Sequence, residues 1–293
     1  MKLGWIGTGV MGASMAGHLQ RGGHALAVFN RTREKSEPLL DEGAIWCDSP
    51  AGVAEKSDIV FTIVGHPEDV EEVYLGDKGV FAARNPADIV VDMTTSRPAL
   101  AKTIAEAAEK RGIDSLDAPV SGGDVGAREG TLAIMVGGKK SVYDKILPLF
   151  ELMGTTLAYM GDAGSGQHTK VSNQILVAGN MIGACESLLY AHKQGLDMQA
   201  VIDIIGKGAA GSWSINNLGP RIAKGNFDPG FFVEHFIKDM GIALEECRAI
   251  GLSLPGLALV QQLYIAVKAQ GHGRLGTQSL FLGLQTLNGD TSS

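Results

Sequence analysis

The chain has 293 residues, with 25 Lys and Arg against 32 Asp and Glu, a formal charge of −7. At roughly 150 residues per domain this length predicts two domains, and 45% apolar with 19% charged residues excludes a disordered chain. The acidic balance, without any basic run, excludes nucleic acid as a main partner, because phosphate binding needs clustered Lys and Arg.

Residues 2–6 are a short apolar run ending at glycine and predict a strand. A helix is predicted over 10–21, a second strand over 24–29 and a helix over 33–41. Residues 59–64 (IVFTIV) are an uncharged run, apolar but for Thr62, between Asp58 and Gly65, the mark of a strand buried on both faces. A strand over 89–91, an alanine-rich helix over 98–111, strands over 115–118 and 132–136, a helix over 141–153 and a strand over 156–160 follow. This alternation predicts βαβ units and a mainly parallel sheet. The pattern changes at the glycine-rich break Gly161-Asp162-Ala163-Gly164-Ser165-Gly166. Beyond it no strand is predicted, only helices over 164–194, 198–206, 216–224, 234–250 and 255–269. Residues 289–293 read as a loose tail. Residues 1–162 are thus one expected domain and 163–293 a second.

Three cysteines, Cys47, Cys185 and Cys247, are odd in number and far apart, which suits a reducing, cytoplasmic setting better than a disulfide framework. The start MKLGWIGTGVMG lacks the form of a signal peptide. The uncharged stretch 171–185 carries Ser172, Asn173, Gln174 and Asn180, so it reads as a buried helix and not a membrane span. No membrane partner is expected. The seven histidines show no ligand spacing, so no metal is expected.

Gly7-Thr8-Gly9-Val10-Met11-Gly12 is G-x-G-x-x-G, placed after a predicted strand and at the opening of a predicted helix. Gly7 would make the tight turn, Gly9 would admit a pyrophosphate to the helix N-terminus, and Gly12 would let helix and strand pack closely. The expected fold class is therefore an α/β Rossmann N-terminal domain plus an all-α C-terminal domain, joined by a long helix. NAD sites usually place Asp or Glu after the second strand. Here Phe29 is followed by Asn30-Arg31-Thr32-Arg33, without a carboxylate. Arg31 can pair with a 2′-phosphate and Thr32 can donate to it, so NADP(H) is favoured over NAD(H). Further cofactor contacts are expected at the ends of later strands, from Val64, Gly65 and Thr95.

Asp117-Ala118-Pro119-Val120-Ser121-Gly122-Gly123 leaves a predicted strand and enters a loop. Ser121, Gly122 and Gly123 offer a hydroxyl and backbone N–H groups, which make either a small anion nest for a carboxylate or a plain loop. Lys170 lies early in the long predicted helix, with Asn173 at i+3 and Gln174 at i+4 on its face. A partly desolvated lysine can donate and accept protons near neutral pH, although a capping or snorkelling lysine is the commoner fate. Lys238 and Asp239 interrupt an apolar face after Phe231, as a structural ion pair or as part of a cleft wall.

These segments together resemble the β-hydroxyacid dehydrogenases, the 3-hydroxyisobutyrate dehydrogenase family. The matching stretches are GWIGTGVMGASMAGHL, VVDMTT, DAPVSGG, GTLAIMVGG, the GxGxxxK ending at Lys170, and FIKD around Lys238, within residues 1–285. The resemblance implies an oxidoreductase that moves a hydride between NADP(H) and a short β- or γ-hydroxy acid or semialdehyde, in a homodimer or homotetramer. It implies that Lys170 is the general acid/base and that Asn173 or Gln174 orients substrate and lysine. Ser121, Gly122 and Gly123 would hold the substrate carboxylate, and Thr95 and Lys238 would touch cofactor or substrate. Phe231 and Asp239 fall where the glyoxylate/succinic semialdehyde reductases have active-site residues, and Asn30-Arg31-Thr32 resembles their NADPH-preferring branch. Two stretches depart from the pattern: Val64-Gly65-His66-Pro67, and residues 273–279. Two rival readings are an imine-reductase-like enzyme on the same fold, whose members usually replace the lysine by Asp or Tyr, and a non-catalytic cofactor-binding interaction module.

Overall fold

A computed structural model describes residues 1–290. The expected tail therefore lies partly outside the described residues. The chain divides into two compact units, Met1–Lys170 and Val171–Ser293.

The first unit runs β1 (Lys2–Ile6), α1 (Gly12–Arg21), β2 (Ala25–Phe29), α2 (Glu37–Asp41), β3 (Ile45–Trp46), α3 (Pro50–Ala54) and β4 (Ile59–Thr62). It continues with α4 (Pro67–Leu75), β5 (Ile89–Asp92), α5 (Pro98–Glu109), β6 (Asp114–Asp117), β7 (Val120–Ser121), α6 (Gly123–Glu129), β8 (Leu132–Gly138), α7 (Lys140–Phe150) and β9 (Gly154–Gly161). The nine strands form one sheet in the order β3-β2-β1-β4-β5-β6-β8-β7, with β9 beside β8. From β3 to β6 every pairing is parallel; β8 runs antiparallel to β6 and β7. The central strands β4 and β5 are buried on both faces, which is why they open with the apolar triplets Ile59-Val60-Phe61 and Ile89-Val90-Val91. Ile59, Phe61, Ile89 and Val91 join one core with Trp5 and Phe150, while Val60 and Val90 join the opposite core with Tyr74 and Phe81.

Sequence reading assigns no element between 65 and 88, yet α4 lies there. Its start signals are present: Pro67 at the first helical position and Asp69 accepting from His66 N at 3.0 Å. The residues 120–123, expected as a loop, are instead a two-residue strand running into the first turn of α6. Gly122 and Gly123 sit there at φ +135° and +64°, which a side chain would strain.

Helix α8 (Ser165–Lys193) follows a turn at Gly164 and carries the chain past Lys170. Beyond it come α9 (Met198–Ile205), a π-helical turn at Ser214–Leu218, α10 (Gly219–Ala223), α11 (Val233–Ala249), α12 (Pro255–Val267) and α13 (Leu280–Leu287). Phe236, Met240, Tyr264 and Phe281 centre the core of this second unit. Its one pairing of strand type among the described residues is the bridge Phe232–Gly276. The divergent stretch 273–279 is laid against the start of α11: Val233 N donates to Leu275 O, Glu234 N to Gly273 O, and Thr277 N to Phe231 O. Helix α13 is absent from the sequence expectation, although Ser279 stands at its N-cap position and Gly289, at φ +75°, follows its end.

Candidate functional site

The glycine loop lies where β1 ends and α1 begins. Gly7 adopts φ +97°, and a Cβ there would stand 2.0 Å from Ile63 O. A Cβ on Gly12 would stand 2.0 Å from Gly7 O. Both clashes are with backbone, which cannot step aside. At Gly9 a Cβ would meet nothing within 4 Å, so the space before the helix N-terminus is open. That combination, two glycines forced by packing and one facing free space, fits a dinucleotide pyrophosphate. Val10 is exposed and Met11 half-buried beside it.

The loop is braced by side chains. Trp5 Nε1 donates to Gly7 O at 2.8 Å, and Gly7 N donates to Phe29 O. Thr8 N donates to Asn30 Oδ1 at 3.1 Å, and the buried Thr8 hydroxyl shares a hydrogen bond with Ser36 Oγ. Asn30 Nδ2 then donates to Thr32 O. Asn30 thus ties the glycine loop to the turn that carries Arg31 and Thr32. Arg31, largely exposed, pairs with Asp69 Oδ1 at 2.8 Å. Arg33 lies over the Trp46 ring at 5.2 Å. Trp5, Ser36 and Asp69 are absent from the sequence expectation, because each reveals its role only through a partner distant in the chain.

After β4, Val64 N donates to Thr94 Oγ1 at 3.0 Å, which binds the Val64-Gly65 turn to the end of β5. After β5, Thr94 N donates to Asp92 Oδ1, and Thr95 is half-buried in the next turn. After β6, Asp117 reaches the start of α8. Its Oδ1 accepts from Gly164 N at 2.7 Å and its Oδ2 from Gln167 N at 2.8 Å. Burial raises its carboxyl to about 6, against the backbone N–H groups of Gly164, Gln167 and Gly166, which favour the charged form. Close backbone approach explains the glycines here: a Cβ on Gly166 would stand 2.4 Å from Met135 O, and one on Gly137 2.5 Å from Asp117 Oδ1. Lys170 lies in the next turn of α8 and is 6% exposed.

In the second unit, polar residues form a partly buried chain, with Gln174 and Asp239 its buried members. Asn173 Nδ2 donates to Gln174 Oε1 at 2.7 Å, and Gln174 Nε2 donates to Asp239 Oδ2 at 2.6 Å. Asp239 Oδ1 lies 3.1 Å from Lys238 Nζ, an ion pair too bent for a hydrogen bond. Lys238 and Asp239 are thus paired with each other. Phe231 packs its ring 5.7 Å from Phe236 and 6.5 Å from His235. Among the described residues no group of three His, Cys, Asp or Glu is placed to hold a metal ion.

Residues 2–161 match the family described as the NAD binding domain of 6-phosphogluconate dehydrogenase. Residues 164–282 match that described as NAD-binding of NADP-dependent 3-hydroxyisobutyrate dehydrogenase. The chain is 54% identical to an Arabidopsis thaliana protein named probable 3-hydroxyisobutyrate dehydrogenase-like 1, mitochondrial, over 98% of this chain and 86% of that one. It is 40% identical to the 2-hydroxy-3-oxopropionate reductase of Escherichia coli, over 98% of each. A solved structure titled Psf3 in complex with NADP+ and 2-OPP superposes with a TM-score of 0.89 at 27% identity, covering 96% of this chain and 99% of that one. The chain belongs to the β-hydroxyacid dehydrogenase family, NAD(P)-dependent oxidoreductases acting on hydroxyacids.

Proposed function

We propose that this chain interconverts a short β- or γ-hydroxy acid and its semialdehyde, prefers NADP(H), and uses Lys170 to move the proton. One observation carries the reading: Lys170 is a buried lysine one turn into the helix whose start Asp117 caps, at the same end of the parallel strands as the glycine loop. A reduced nicotinamide, when bound, would supply a hydride to the carbonyl carbon. As that bond forms, the carbonyl oxygen gains negative charge, and the Lys170 ammonium donates a proton to it. In the reverse direction the neutral amine takes the hydroxyl proton. Moving a proton in the transition state typically contributes 10²–10⁴-fold in rate.

Ser121 Oγ and the N–H groups of Gly122 and Gly123 hold the substrate carboxylate, at the first turn of α6. Asn173 orients the substrate oxygen. Gln174 and Asp239 are buried behind it and hold Asn173 and Lys238 in place. Phe231 supplies an apolar wall. Thr95 and Lys238 would touch cofactor or substrate. Preference for NADP(H) is supported by Arg31 and Thr32 after β2, where no carboxylate occurs, and by the NADP+ found in the related solved structure. Assembly into a homodimer or homotetramer is supported by exposed Leu176 and Tyr190 on α8. Sedimentation equilibrium tests it, a monomer at micromolar concentration being the contrary result. No helix among the described residues is long and apolar enough to cross a membrane.

The functional test is NADPH absorbance with glyoxylate, succinic semialdehyde, tartronate semialdehyde and methylmalonate semialdehyde. Oxidation of NADPH by at least one, faster than with NADH, is expected. Inertness toward all four contradicts the proposal.

A further inference from the structure

Gln167 stands three residues before Lys170 in α8, so the two share a helix face. It is wholly buried. Both ends of its carboxamide are engaged: Oε1 accepts from Ser96 N at 2.9 Å, and Nε2 donates to Thr94 O at 2.7 Å. A backbone N–H can only donate and a carbonyl can only accept, so these partners fix which end of the amide is which. The two bonds flank Thr95, one to the residue before it and one to the residue after it. The loop is anchored upstream by Thr94, whose N donates to Asp92 Oδ1 and whose Oγ1 accepts from Val64 N. Downstream, Ser96 N is tied to the helix through Gln167.

We propose that Gln167 is a positioning residue for the dehydrogenase reaction: its carboxamide fixes the Thr95 backbone against the helical turn bearing Lys170. The group expected on the cofactor side and the group expected to move the proton then keep one spacing. A shift of about 1 Å in such a constellation can cost on the order of 100-fold in rate. The inference rests on the reading of Lys170 and Thr95 given above.

The test uses Gln167→Met, which is similar in length but makes neither bond, and Gln167→Glu, which keeps the acceptor for Ser96 N. NADPH binding sites are counted by fluorescence titration. Hydride transfer is then measured in a single turnover, per binding site, with the fastest of the four carbonyl acids. A purely structural role would lower the number of sites and leave the rate per site unchanged. We expect Gln167→Met to lower the rate per site at least fivefold, with the NADPH Kd changed less than threefold, and Gln167→Glu to regain part of the loss. A smaller fall in rate per site, or a Kd weakened as much as the rate, overturns the proposal. Hydrogen exchange in the native protein gives a measure independent of any variant. Slow exchange at Ser96 N–H is expected, and exchange at the rate of an open loop overturns the proposal. Failure here is separable from failure of the lysine reading, which is decided by Lys170→Ala with Gln167 intact.

Discussion

Replacing Asp117 by Asn probes the carboxylate that caps α8. Burial lifts its pKa from 3.8 to about 6, outweighing the backbone N–H groups that pull the other way. The folded chain therefore holds this proton more tightly than the unfolded chain does. A raised pKa adds stability that is fully present below pH 4 and is lost as pH rises through about 6. The gap between 3.8 and about 6, at about 1.4 kcal/mol per unit, makes that term about 3 kcal/mol. Asn cannot titrate, so the stability difference between native protein and Asp117→Asn must change by that order between pH 4 and pH 7.5. The native protein is favoured at the acid end. Denaturant midpoints at several pH values follow the difference, and carboxyl NMR reads the Asp117 titration itself. A carboxyl titrating at or below pH 4, or a native advantage that grows with pH, refutes the reasoning.

Arg31→Ala removes a charge-assisted contact proposed for the 2′-phosphate, and such contacts contribute about 1.5–3 kcal/mol. The Kd for NADPH should weaken about tenfold or more while that for NADH barely moves; equal losses contradict the assignment. Gly12→Ala places a methyl 2.0 Å from Gly7 O, so the turn must shift. A loss of about 1–3 kcal/mol is expected, together with weaker cofactor binding, by thermal unfolding and titration. An alanine variant with native Tm and Kd would show that the turn has slack. Asp239→Asn removes the anion 3.1 Å from Lys238 Nζ, in a site where the Asp239 side chain is 2% exposed. Breaking a buried pair costs about 3–5 kcal/mol, so a native denaturation midpoint in this variant removes the argument for the pair.

Local signals made much of the fold readable from the residues. IVFTIV identifies a strand buried on both faces, and G-x-G-x-x-G identifies a strand-to-helix turn, because each is decided by neighbours in sequence. In the glycine loop the packing reason for Gly7 and Gly12 is visible, since each is confined by backbone, while a side chain on Gly9 would meet nothing within 4 Å. Helix α4 carried readable start signals in Pro67 and Asp69 that the apolar pattern alone does not bring out. The bonds that hold the helix start before Lys170 are another matter. Asp117 reaches Gly164 across 47 positions and Gln167 reaches Ser96 across 71, so no window of sequence contains both ends of either bond. Gln174 and Asp239 are 65 positions apart, and only their hydrogen bond shows that one holds the other. The candidate site is thus legible as residue types, while the braces that fix those residues emerge from tertiary structure.

The most direct measurement is single-turnover hydride transfer in Lys170→Ala, per bound NADPH, with the fastest of the four carbonyl acids. The account predicts a fall of about 100-fold or more with a near-native NADPH Kd. A native rate from that variant would contradict it.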